Sequence, residues 1–468
     1  MKPTTSSKLI SSPNMMLPAS VSREKRAALG KDLRTKVSRE SHAGWRQHKQ
    51  RPDPVKILVD SSKGRMQELL PIRYGRMSQS PFAFFRGAAA IMAEDLAHTP
   101  STQIRVQACG DCHLVNFGGF ATPERRIIFD INDFDETLPA PWEWDLKRLT
   151  ASFVIACTNN DFKRRDSRRA TLACVKSYRE RMSELARMPA LEVWYQSIDA
   201  DAVMQSLRNA GTRKRLEKRL SKAHERASEA LFPKLTELQG GKVAIRDEPP
   251  LIFHPQTLGE KDLDSVMMRI LGQYRNTLNE SVRVIFDRFQ PVDSAMKVVG
   301  VGSVGTRCGI ALMMAASADP VFLQIKEARK SVLEPYAGKS IHENSGKRVV
   351  TGQRMMQSAS DIFLGWSDTE AGRHYYVRQL NDAKLKPLVE IFDATTMEDY
   401  GRLCGWVLAQ AHARSGDASM ISGYLGSSDV FDEAIADFAE AYERQNERDY
   451  QALRRAVRSG KIEARLES

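Results

Sequence analysis

Asp111, Asn116 and Asp133 are the residues of this 468-residue chain whose types and spacing could do chemistry. In Cys109-Gly-Asp-Cys-His-Leu-Val-Asn116 the aspartate precedes the asparagine by five positions, and seventeen positions after the asparagine Asp133 opens the run Asp133-Phe-Asp135. Phosphoryl transfer leaves little covalent work to a protein. It needs charge neutralisation by Mg²⁺ and a group that orients the attacking hydroxyl. Asp111 would accept the hydroxyl proton, and Asn116 and Asp133 would supply the hard oxygen ligands that Mg²⁺ prefers. The segment RRIIFDINDFDE reads as a strand over Arg126 to Ile131 running into an acidic turn. An aspartate-rich turn that binds nothing is the competing reading.

A second element lies downstream, where Gly300, Gly302, Ser303 and Gly305 belong to a G-x-G-x-x-G run and Lys326 ends an apolar, β-branched stretch. Glycines there would let backbone N–H groups approach phosphates. The rival is a dinucleotide fold with Glu327 as the ribose acid. Cys308 to Met314 reads as the returning strand of a hairpin as readily as a helix, and Phe322-Leu-Gln-Ile-Lys326 resembles the V-A-I-K strand of kinases, whose lysine holds phosphates. Its acidic partner would be Glu327, Glu334 or Glu343. In kinases the glycine-rich loop and lysine precede the catalytic loop; here they follow it. The order implies a circular permutation, which folds tolerate when the new termini fall in exposed connections.

The motifs RYGRMSQSPFAFFRGAAA (residues 73–90), GDCHLVNFGGF, INDFDETLPAPWEWDLKRL, VGVGSVGTR, LQIKEA and GQRMMQSASDIFLGW resemble a bacterial family catalogued as domain of unknown function 2252. Separately, GDCHLVN, INDFDE and WEWDL resemble the aminoglycoside and choline phosphotransferases of the protein-kinase-like fold. That likeness implies an α+β, two-lobed, circularly permuted kinase-like fold with a predominantly helical large lobe, using ATP and Mg²⁺. It implies Asp111 as base, Asn116 and Asp133 as metal ligands, and Asp145 as the aspartate that braces the catalytic loop. Ala108-Cys109 stands where that branch usually has a histidine before Gly-Asp. His113 and Asp135 are supporting candidates, and the plainer reading of Asp145 is a helix-start acid suited to the dipole.

The elements that must position these residues read as follows. Residues 1–52 form a basic N-terminal arm, 53–290 a large helical lobe with the catalytic and metal-binding loops, 291–389 a small β-rich nucleotide-binding lobe, and 390–468 helices completing the large lobe. Helical spacing covers Trp144 to Cys157, Arg168 to Arg187, Leu263 to Arg275, Val349 to Phe363, Tyr400 to Arg414 and Asp429 to Val457, with a broken run from Ala200 to Phe232. His374 to Gln379 reads as a strand and Asn381-Asp382 as a hinge. Gly416-Asp417 imitates the catalytic pair, but Ser422 stands five residues on instead of asparagine, so Asp417 is expected to be a loop or cap residue. Arg73, Arg76, Arg86 and Arg307 could bind a phosphate or brace the site, with surface ion pairing as the alternative.

Composition bounds the rest. With 42% hydrophobic and 27% charged residues the chain has the make-up of a globular protein. No apolar run approaches the roughly 18 residues of a membrane span, and the start lacks a secretory segment, so a cytoplasmic location is expected. Residues 1–52 hold twelve Lys and Arg against three Asp and Glu, most of the net +12. Interspersed acids and the absence of interleaved aromatics favour a helix packed on its own domain over nucleic-acid binding. Cys109 and Cys112 form a lone C-x-x-C with no second pair, which favours reduced thiols over zinc or redox chemistry. An AMP transferase on the same fold and a non-catalytic nucleotide-binding or scaffold protein are the other functional classes. No motif encodes the acceptor or an oligomeric state.

Overall fold

A six-stranded antiparallel sheet carries the glycine-rich and lysine segments. Its strands run in the order Gly365–Asp368, His374–Gln379, Pro320–Ala328, Cys308–Met314, Gln290–Lys297 and Ile252–Phe253. The computed structural model describes residues 20–223, 228–255, 257–258, 261–316, 319–368, 372–380 and 384–466. The expected hinge at Asn381-Asp382 and residues 1–19 of the basic arm lie outside them. The fold is α+β, and no described helix is long and apolar enough to cross a membrane.

The sheet's apolar face packs on the helix Leu263–Arg275, where Met267, Ile270 and Tyr274 meet Met296, Ala311, Leu323 and Val377. Its other face, through Ile252, Ala295, Ile310, Leu312 and Phe322, packs on Ile245. The sheet unit therefore draws on residues before the expected boundary at 291. A two-residue edge strand is too short to show alternation, so its pairing is set by what it packs against.

The helical unit forms around Trp142–Asn159, Arg164–Leu185, Ala394–Ser415 and Val430–Arg458. Arg164–Leu185 and Ala394–Ser415 meet through glycines: a Cβ on Gly405 would stand 2.1 Å from the Cys174 carbonyl oxygen. The Val349–Phe363 expectation corresponds to Ser345–Met356, and the broken run resolves into Ala200–Ser206, Ala210–Ala223 and Ser228–Leu235. Beside these helices, Arg105–Ala108 pairs with Leu138–Pro141, and Phe117–Ala121 with Ile127–Ile131.

The described part of the basic arm is docked. Its helix Arg23–Asp32 lies on Ala418–Leu425, with Arg26 paired to Asp417 at 2.9 Å and Arg34 donating to the Tyr424 and Gly423 carbonyls. Arg34 thereby satisfies carbonyls at the C-terminal end of Ala418–Leu425, where cations are favoured. Asp417 also accepts from Met420 N at 3.1 Å, so it caps a helix.

Candidate active site

The catalytic-type loop leaves Arg105–Ala108 and is held from behind. Asp145, on the first turn of Trp142–Asn159, accepts from Cys109 N at 2.5 Å and Gly110 N at 2.9 Å. His412 Nε2 lies 3.2 Å from Asp145 Oδ2, and Tyr178 OH lies 2.8 Å from His412 Nδ1. Asp145 thus spends both oxygens on the loop. Gly110 is required there: its φ is +82°, and a Cβ would meet the Glu136 carbonyl oxygen at 2.4 Å.

Asp111 stands at the cavity edge with one oxygen engaged. The buried guanidinium of Arg148 donates to Oδ1 through Nε at 2.8 Å and through a second, shorter bond, and stacks over Phe85 at 4.3 Å. Oδ2 faces Gly302 of the glycine-rich loop, whose added Cβ would lie 4.0 Å away. Sequence reasoning missed Arg148 and His412. Both lie in helices buried on nearly every side, and every residue from Trp142 to Cys157 is buried, so no polar stripe marks them out.

Asn116 donates through Nδ2 to the Asp111 carbonyl at 2.8 Å, which leaves its side-chain oxygen for a ligand. Asp133 follows the strand Ile127–Ile131. Burial, and then the neighbouring Asp135 charge, push its carboxyl above the usual range. It accepts from Asp135 N at 3.2 Å and has no ion pair among the described residues.

Asp135 is the partner of Lys326. Nζ lies 2.7 Å from Oδ2, and Tyr376 OH (2.6 Å) and Ser303 Oγ (3.1 Å) donate to the same carboxylate. Burial alone would raise this carboxyl, but Lys326 and Tyr376 outweigh it and hold it down to about 2. Against burial, Asp135 and then Tyr376 hold the Lys326 ammonium well above its ordinary value. This corrects the expectation of Glu327, Glu334 or Glu343. Neighbours on a strand point to opposite faces, and Glu327 instead accepts from Arg307 N at 3.0 Å; Glu343 is exposed.

The glycine-rich loop turns a hairpin between Gln290–Lys297 and Cys308–Met314, with Gly300 and Gly305 at φ +63° and +84°. The dinucleotide alternative needs a helix where this strand runs. Arg73, fully buried, donates to the Val301, Gly302 and Gly87 carbonyls, Arg76 to Gly300 O, and Arg65 to Val304 O. They brace the loop. Arg86 differs: it makes no hydrogen bond or ion pair among the described residues, and its Nε, like that of Arg73, is buried without an acceptor.

One cavity of about 220 Å³ collects Asp111, His113, Asn116, Asp133, Asp135, Gly300, Gly302, Ser303 and Arg86. Burial, then Arg86 and Arg148, hold the His113 imidazole far below its ordinary value, so it is neutral. Its Nε2 is 3.9 Å from Asp111 Oδ2, too far for a hydrogen bond. Cys109 and Cys112 are buried free thiols, and Cys109 Sγ donates to the Asp133 carbonyl at 3.2 Å. The donor set of Asp133 and Asn116 fits Mg²⁺: hard oxygens, with one carboxylate whose charge is raised in energy by burial and a like neighbour.

A family model described as "Uncharacterized protein conserved in bacteria (DUF2252)" matches residues 65–456, and the chain belongs to that family. No curated protein and no solved structure matches it.

Proposed function

For a member of this family, we propose an ATP- and Mg²⁺-dependent phosphotransferase of kinase-like fold, circularly permuted, that acts on a hydroxyl of a small molecule or protein. The observation that carries this reading is the charge balance of the cavity. Asp111 is matched by Arg148 and Asp135 by Lys326, whereas among the described residues Asp133 and Glu136 line the cavity with no ion pair and Arg86 has neither an ion pair nor a hydrogen bond. Unmatched charges of both signs in one enclosed space suit a metal–phosphate pair, since each is costly to leave unpaired.

In this reading Mg²⁺ held by Asp133 and Asn116 supplies neutralisation of the phosphate oxygens. Lys326, oriented by Asp135, and Arg86 donate to the phosphoryl chain. The hairpin keeps Ser303 and the glycine backbone over the same space, and a cavity of about 220 Å³ suits a phosphoryl chain better than a whole nucleotide. Asp111 Oδ2 takes the acceptor hydroxyl's proton, while Arg148 fixes the other oxygen and so the direction of approach.

Thermal shift with magnesium and a nucleotide panel tests binding without a known acceptor. ATP labelled at the α or the γ phosphorus then reports which phosphate leaves, separating phosphoryl transfer from AMP transfer. Asp111→Asn is expected to lower turnover by about 10² to 10⁴. A parent protein whose melting temperature no nucleotide moves would favour the scaffold class instead.

A further inference from the structure

We propose that His48, Glu94 and His98 form a site for a divalent transition-metal ion of the zinc class, apart from the acidic cavity. One ring nitrogen from each histidine and one oxygen of Glu94 all lie within 4.8 Å of one another. His48 Nε2 is 2.8 Å from Glu94 Oε1 and His98 Nδ1 is 3.6 Å from the same oxygen. The two imidazoles stack with centroids 3.8 Å apart and planes 19° from parallel.

A second observation asks for a ligand. Glu94 is 5% exposed, and its other oxygen, Oε2, is buried without a hydrogen-bond donor. A buried carboxylate oxygen left unmatched is costly and uncommon in a folded protein. The neighbouring acid does not share this state: Asp95 is taken by Arg51, which donates to both its oxygens at 2.6 and 2.8 Å.

The chemistry selects the ion class. Two imidazoles and a carboxylate are the ligands of three-residue zinc sites, with a fourth position left to water. Imidazole suits zinc, copper, nickel and cobalt, whereas Mg²⁺ and Ca²⁺ favour oxygen donors. Glu94 lies on the helix Ala89–Ala97 and His98 directly follows it, four positions on, so one helix face presents both. His48 comes from a separate segment, which Arg51 anchors to that helix and to Asp449. Tetrahedral bonds of about 2.0–2.2 Å put donors roughly 3.3–3.5 Å apart, so small side-chain rotations close the site. The bound ion would tie the segment before residue 52 to the helix whose first residues, Ala89 and Ala90, line the acidic cavity.

The test uses the untagged full chain, stripped with chelator and titrated with Zn²⁺ against a chromophoric competitor, with Co²⁺ absorption as the report on geometry. One equivalent at micromolar affinity or tighter is expected. The double variant His48→Gln with His98→Gln should bind at least about 100-fold more weakly, and Asp133→Asn should bind zinc like the parent. If the double variant does not fold, Glu94→Gln keeps the shape and should cost at least about 10-fold. Absence of zinc uptake by the parent, or uptake that a folded double variant or Glu94→Gln leaves unchanged, overturns the site and leaves an ordinary hydrogen-bonded cluster.

Discussion

Lys326 Nζ lies 2.7 Å from Asp135 Oδ2, a contact between positions 191 apart that closes the sheet onto the acidic turn. Removing one partner leaves the other charge enclosed, which typically costs about 3–5 kcal/mol, whereas removing both costs less. Lys326→Met and Asp135→Asn should each destabilise the protein, and the double variant should lose clearly less than their sum. Urea unfolding of the four proteins measures the coupling. Strict additivity would mean that the contact contributes nothing.

Asp133 should behave in the opposite way. Its carboxyl is raised by burial and by Asp135, so its ionised form costs stability at pH values above the ordinary carboxylate range. Asp133→Asn is expected to stabilise the metal-free protein at pH 7 while abolishing magnesium-dependent nucleotide binding. Melting curves with and without magnesium nucleotide show both effects. A variant that melts lower than the parent without metal contradicts the electrostatic account, whatever its activity.

Much of this arrangement is legible in the sequence, and the failures share a physical cause. The strand His374–Gln379 follows from local spacing, the strand Cys308–Met314 is one of the two readings that spacing leaves open, and the bracing role of Asp145 follows from the resemblance of its motif to the phosphotransferases. The lysine's partner does not. Asp133 and Asp135 lie two apart in one turn, and only the approach of a distant strand decides which of them meets Lys326. Arg73 and Arg148 were legible as cations and illegible as buried ones, since a guanidinium that satisfies backbone carbonyls or a carboxylate inside the protein has the same letter as one in water. Short edge strands such as Ile252–Phe253 carry no period to read.

His254 gives a pH signature away from the cavity. It lies between Asp247 at 2.7 Å and Asp293 at 3.2 Å, just beyond that edge strand. Hydrogen bonding to Asp293, set against partial burial and supported by Asp247, raises its ring from 6.5 to about 9. A pKa raised in the folded state adds stability that is fully present below about 6.5 and lost as pH rises through about 9. The difference in stability between the parent and His254→Gln should therefore shrink between pH 6 and roughly 9.5, by chemical denaturation at each pH. A constant difference across that window would remove the charged histidine from the account.

Arg86 provides the sharpest separation of binding from architecture. Arg73 and Arg76 hold carbonyls of the glycine-rich loop, so their loss should loosen the fold as well as the site. Arg86 holds nothing among the described residues, and burial lowers its guanidinium from the ordinary value, with Asp111 opposing. Arg86→Gln should leave stability nearly unchanged or improve it, since an unmatched buried charge is removed. Affinity for a nucleoside triphosphate should fall by about 10- to 100-fold, as expected for a charge-assisted contact of roughly 1.5–3 kcal/mol. Affinity for the bare nucleoside should not move. Calorimetric titration of both ligands decides it: equal losses for triphosphate and nucleoside would show that the variant disturbed the cavity's shape instead of removing an anion contact, and Arg86 would then have no part in holding phosphate.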